Sequence, residues 1–163
     1  MWLMVVVVNS FFSALVIEHY HVVFEHKGVL AALMTLVSSV GGAAGTQVLT
    51  VSIRGLALKI FQMRGVTTML FRELGISLFT GIVSGSFLMI VIYFWLGDPG
   101  LALLVLLSLT FQLCFAAVSG VVIPWTVHCM GFDPTIGAAP LVMALSDILG
   151  FALFLWLSMF FIG

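Results

Sequence analysis

Two aspartates stand apart from the rest of this 163-residue chain. Asp147 lies in the run Ala-Leu-Ser-Asp-Ile-Leu-Gly with apolar residues for two turns on either side, and Asp133 lies 14 residues earlier, in Gly131-Phe132-Asp133-Pro134. A carboxylate near the centre of a bilayer costs about 2.5 to 3.5 kcal/mol on insertion scales. No Lys or Arg lies within the deep apolar runs to offset it. A bound cation, a proton, a water-filled cavity, or hydrogen bonds from Ser and Thr are the remaining ways to hold such a group. An acid in that position points to a functional site, against the plainer reading of a protonated or hydrogen-bonded structural Asp. Asp133 alone reads as a turn and helix-start residue ahead of a proline. Taken with Asp147, it puts one carboxylate at the mouth of a helix and another roughly 20 Å deeper on a continuous helix, two depths along a cation path.

The second concentration of unusual residues is Gly41-Gly42-Ala43-Ala44-Gly45-Thr46-Gln47, with Thr50 one turn beyond Thr46 on the same helix face. Three glycines and two alanines strip side chains from a stretch of helix. Another backbone can then approach closely, or the carbonyls can face water and ions. Gly41 and Gly45 form a GxxxG pair that fits close packing, and the neighbouring Thr46, Gln47 and Thr50 fit a pore lining equally well. Gly81 and Gly85 form a second GxxxG pair, for which packing suffices. The segment holding His19, His21, Glu25 and His26 has metal-ligand side chains, but their spacing matches no closed tetrahedral zinc site, so a solvated loop is expected. His128 reads as an interfacial helix end, and Cys114 and Cys129 as isolated packing thiols. There is no GxSxG, HExxH or phosphate-binding loop, so the chain is not expected to be an enzyme.

The elements that must carry these residues follow from composition. Hydrophobic residues make up 63% of the chain and charged ones 7%, with a net charge of −1, where a soluble domain carries about 25% charged residues. The expectation is an all-α integral membrane protein in a lipid bilayer, a single transmembrane domain over residues 1–163. The weak charge and the lack of a basic cluster exclude nucleic acid as a partner. Apolar runs punctuated by charge, Gly and Pro predict five transmembrane helices over about 1–17, 28–58, 73–96, 101–127 and 138–161, with Pro140 in the first turn of the last. No Lys or Arg precedes Lys27, so the first run lacks the basic region of a secretory signal and reads as a retained span.

Arg54, Lys59, Arg64 and Arg72 are four of the five basic residues and flank the connection between the second and third helices. That connection is therefore expected to be cytoplasmic, with the N-terminus inside and the C-terminus outside. Glu73 groups with this basic connection, and Glu18, Glu25 and Asp98 with the outer face.

With these residues in place, a family resemblance is evident. Gly41 to Gln47, continuing to Arg54-Gly55-Leu56-Ala57-Leu58, resembles the GGNAGTQ…RGLAL signature of the MgtE-type magnesium channels and transporters. Gly131-Phe132-Asp133-Pro134, Pro140 and Asp147-Ile148-Leu149-Gly150 are similar to that family's G-x-D-P…G-P…D-x-x-G segment, and Trp2-Leu3 resembles the opening of its first helix. The resemblance implies a homodimer in a bacterial inner or plasma membrane, with its second and fifth helices lining a pore on the twofold axis. Asp147 would match the acid that holds the cation from both subunits, and Asp133 the acid near the cytoplasmic mouth. Gly41, Gly42, Ala43, Gly45, Thr46, Gln47, Thr50, Pro140, Met143 and Ala144 would line the path.

The family's Asn is replaced here by Ala43, its Ser-Gly before the proline by Ala138-Ala139, and its threonines before the pore acid by Met143-Ala144. Its cytoplasmic N-terminal and tandem CBS domains lie outside these residues, so a pore module, excised or naturally short, is expected. The function implied is channel-like transport of a divalent cation, Mg2+ as cargo, with no organic cofactor. A proton- or ion-coupled cation transporter, or a non-transporting membrane partner assembling through its GxxxG faces, are the alternatives.

Overall fold

The computed structural model describes residues 2–20, 28–58, 65–135 and 137–162. Lys59, Arg64 and the histidine-rich residues 21–27, on which the orientation and the metal-ligand readings partly rest, lie outside the described residues. Five helices run in chain order: α1 (Trp2–His19), α2 (Val29–Ala57), α3 (Val66–Leu96), α4 (Pro99–Cys129) and α5 (Ala138–Ile162). Four of them, α2 to α5, are long and apolar enough to cross a membrane, whereas the apolar stretch in α1, Val7–His19, is shorter than a span.

The helix boundaries have local causes. Asp98 caps α4 by accepting hydrogen bonds from the backbone N–H of Gly100 at 2.9 Å and of Leu101 at 3.3 Å. Pro99 fills the first helical position, where its missing N–H costs nothing. Immediately before it, Gly97 adopts φ 68° and its N–H closes on the Tyr93 carbonyl at 2.9 Å, ending α3 in the left-handed conformation that only glycine adopts cheaply. The α3–α4 hairpin is thus written into four consecutive residues.

The third helix corrects the expectation that it starts at Glu73. It begins at Val66, seven residues earlier. Charge in an apolar sequence suggests a loop, but Arg72 and Glu73 project from adjacent positions of an unbroken helix. Arg72 is exposed and Glu73 buried, as a step of about 100° between neighbouring residues allows.

α4 is the hub. It packs against α2, α3 and α5, while α5 also packs against α1 and α2. Leu104, Val105, Leu109, Ala116, Ala117 and Val121 of α4 are fully buried. The outer face of α3 is the opposite case: Phe71, Phe79, Phe87 and Phe94 are 66–83% exposed, a surface suited to lipid.

Both GxxxG pairs are used inside the chain. A methyl group on Gly81 would lie 2.9 Å from the Thr110 Cα and one on Gly85 2.8 Å from Leu106 Cδ1, so α3 lies nearly backbone to backbone on α4. Gly41 and Gly45 likewise face α4 and α5. The glycine faces are therefore already covered within one protomer.

Candidate functional site

Asp147 sits nine residues into α5, about 14 Å along the helix axis and well inside its apolar length. It is half-buried and faces α1 and α2. The Ser38 hydroxyl of α2 donates to Asp147 Oδ1 at 2.8 Å, and the Asn9 amide of α1 donates to Oδ2 at 3.4 Å. Both carboxylate oxygens are thus addressed by neutral donors. Among the described residues no Lys, Arg or His pairs with Asp147. Asn9 Oδ1, on the same amide that reaches Asp147, is a buried oxygen without a hydrogen-bond partner, as are Ser13 Oγ one turn further along α1 and Ser146 Oγ next to Asp147 in the chain. Oxygens left open around a carboxylate suit water or a hard cation, whose ligands are oxygens.

The second acid lies elsewhere. Asp133 is exposed in the turn before α5, where its Oδ1 accepts from the Thr135 backbone N–H at 2.9 Å and the Thr135 hydroxyl at 2.7 Å. These two bonds, the backbone one foremost, hold the Asp133 carboxyl below the ordinary value. The helix between the two acids starts only at Ala138, so the rise along it to Asp147 is about 14 Å rather than the 20 Å of a continuous helix.

The structure sorts the remaining candidates by helix face. Gly41 lies against the Gln112 side chain, and a methyl on Gly45 would come within 2.9 Å of Val142 Cγ1 and 3.5 Å of Ser146 Oγ. Gly42, one residue over, has nothing within 4 Å of where a methyl would sit. Thr35, Ser39, Ala43 and Thr50 are exposed and Thr46 half-buried, a stripe at helical spacing made only of small or hydroxyl-bearing residues. Its hydroxyls bond back to their own helix, Thr46 to the Ala43 carbonyl and Thr50 to the Thr46 carbonyl, each at 2.8 Å. Such a stripe contrasts with the phenylalanines of α3 and is a poor surface for lipid tails. Gln47 turns toward α3 and lines a separate cavity. On α5, Met143 is exposed and Pro140 and Ala144 are half-buried, all in the turns leading to Asp147.

Three supporting residues are not evident from sequence reading. Ser38 and Asn9 are ordinary polar residues in apolar runs, and only the fold brings them to Asp147. Gln112, at 2% exposure, donates from Nε2 to the Ser146 carbonyl at 2.8 Å. Its amide is wedged between two helices: a methyl on Gly150 would lie 2.8 Å from Nε2, and Gly41 closes the other side. A lone Gln in the apolar run Leu-Thr-Phe-Gln-Leu is a usable signal, because a buried amide demands a partner.

Comparison with known proteins identifies a family. A sequence model of the MgtE family, described as a divalent cation transporter, matches residues 34–157. The chain is 32% identical over 161 residues to the magnesium transporter MgtE of Bacillus subtilis, covering 99% of this chain and 36% of that protein. It is 29% identical over 154 residues to the magnesium transporter MgtE of Thermus thermophilus, covering 94% of this chain and 34% of that protein. The chain therefore spans about a third of the length of these curated relatives.

Proposed function

Because the chain belongs to the MgtE family of divalent cation transporters, we propose that it conducts a hydrated divalent cation, Mg2+ foremost, across the membrane, with Asp147 as the central ligand. The observation that carries this reading is a carboxylate nine residues into an apolar helix, held by two neutral donors and offered no cationic partner among the described residues. Ser38 and Asn9 orient the group without neutralising it, so its charge is left for the cargo.

The exposed stripe Thr35, Ser39, Ala43, Thr46 and Thr50 supports a homodimer. Its small and hydroxyl side chains suit a partner helix and a wet path better than lipid. Two copies of Asp147 facing each other across a twofold would repel when empty, and a divalent cation between them relieves that repulsion. Magnesium favours oxygen and gives up water reluctantly, so a few carboxylates and carbonyls can hold it through its hydration shell. Asp133, exposed in the turn before α5, would concentrate cations near the cytoplasmic mouth. In this reading the basic residues place the α2–α3 connection and the N-terminus in the cytoplasm, with α1 completing a five-helix unit.

Proteoliposome uptake of Mg2+ tests the reading. Asp147→Ala and Asp147→Asn should each lower uptake by at least about tenfold, which corresponds to ~1.4 kcal/mol of lost stabilisation. Uptake at the unmodified rate by both variants would remove Asp147 as the ligand. Uptake that requires a proton gradient would turn the reading to a coupled transporter.

A further inference from the structure

Glu73 is a second buried acid, on the far side of α2 from Asp147. It is only 7% exposed, about 10 Å along α3 from its start at Val66. It lines a cavity of about 190 Å3 between α2 and α3, together with Gln47, Ser77 and Thr80. One water needs ~10–15 Å3 of such space, so the pocket has room for an ion with part of its hydration shell.

Several hydroxyls of α2 and α3 bond back to their own helix, as Thr46, Thr50 and Ser84 do. The side chains of Glu73, Ser77, Thr80 and Gln47 make no hydrogen bond or ion pair to any described residue. Arg54 and Arg72, the nearest basic residues in sequence that the structure describes, are exposed and form no such pair with Glu73. A mostly buried carboxylate left unpaired is costly. Glu73 shares the lining of this pocket with the buried Ser77 and the exposed Gln47 and Thr80, beside apolar Ala44, Val51 and Ile76; the amide and the two hydroxyls can offer oxygen and none of them offers positive charge.

We propose that Glu73, with Gln47, Ser77 and Thr80, binds a hard divalent cation in the α2–α3 chamber, at a site separate from Asp147. One carboxylate with neutral oxygens is the donor set of an ion that keeps several of its waters. The chamber shares a wall with the Asp147 region: Ala44 and Val48 line it on one face of α2, while Gly45 packs against Val142 and Ser146 of α5 on another. An ion there sits one helix away from Asp147, and the site does not depend on the role proposed for Asp147.

The test is direct binding of Mn2+, followed by loss of the free-ion paramagnetic resonance signal, to the full chain in phosphatidylcholine nanodiscs, with Mg2+ as competitor. The Asp147→Asn protein should retain saturable Mn2+ binding that Mg2+ displaces. Adding Glu73→Gln should weaken that binding by tenfold or more, and adding Thr80→Val instead, which keeps the shape of the side chain, should weaken it severalfold with the helical content unchanged. Equal binding with and without Glu73, or no binding once Asp147 is replaced, would overturn the proposal. So would an infrared carbonyl band of a protonated acid that disappears in Glu73→Gln while Mn2+ binding stays the same, since the chamber would then hold a proton.

Discussion

The Ser38 hydroxyl reaches Asp147 Oδ1 at 2.8 Å across the contact between α2 and α5, joining residues 109 positions apart in the chain. A hydrogen bond of this kind contributes about 0.5 to 1.5 kcal/mol net. It ties the orientation of the acid to the position of α2.

Ser38→Ala removes that tie and leaves the fold intact, since one small side chain replaces another. Apparent Mg2+ affinity in proteoliposome uptake should fall about fivefold, equivalent to ~1 kcal/mol. Ser38→Thr, which keeps the hydroxyl, should lose less. Unchanged affinity in Ser38→Ala would show that the bond does not position Asp147.

The glycines of α2 should differ sharply from one another. Gly41→Ala drives a methyl into the Gln112 side chain and should cost about 1 to 3 kcal/mol by overpacking. Gly42→Ala meets nothing within 4 Å and should be neutral or stabilising by ~0.5–1 kcal/mol through the better helix former. Thermal midpoints in detergent measure both. Equal midpoints for the two variants would contradict the placement of Gln112.

Much of this arrangement was legible in the residues themselves. The apolar runs placed five helices, the Gly97-Asp98-Pro99-Gly100 turn marked one hairpin, and the isolation of Asp147 marked it as the candidate for the site. What the sequence hid was which way each side chain turns. Arg72 and Glu73 look like one charged boundary, yet neighbouring positions on a helix face different surroundings, and one is exposed while the other is buried. Ser38 and Asn9 were hidden for another reason. Serine and asparagine in apolar runs have no periodic signature, and their partner lies more than a hundred residues away.

The turn before α5 has a predictable pH response. Asp133 is held below the ordinary carboxylate value by the Thr135 backbone N–H and, after it, the Thr135 hydroxyl. The stabilisation from this turn is fully present above the unfolded-state value and is lost as pH falls through the lower, folded-state value. Thr135→Val deletes the hydroxyl alone, so the Asp133 pKa should rise partway toward its ordinary value in a carbon-13 carboxyl titration. A pKa that stays fixed in the variant would mean that the hydroxyl contributes nothing.

Asp98→Ala removes the acceptor for the Gly100 and Leu101 N–H groups and should cost about 1 kcal/mol, within the 0.5–2 range for an N-cap. Asp98→Ser should restore most of it. A thermal midpoint that does not move in Asp98→Ala would place the start of α4 under the control of packing alone.

Cysteines at exposed positions of the α2 stripe test the twofold. In a background with Cys114 and Cys129 replaced, Ala43→Cys or Thr50→Cys should give a disulfide-linked dimer on mild oxidation, and Phe79→Cys on the outer face of α3 should not. A crosslink at Phe79 with none on the stripe would put the interface on the wrong helix.

The wedged position of Gln112 carries a mechanical consequence. Its amide is bound to the α5 backbone at Ser146 and gripped by Gly41 on one side and Gly150 on the other. To slide along α5, α2 would have to drag a side chain through two helix surfaces at once. This one side chain couples α2, α4 and α5 at a single level, so a shear of α2 along α5 beside Asp147 would first have to break the Gln112 contacts.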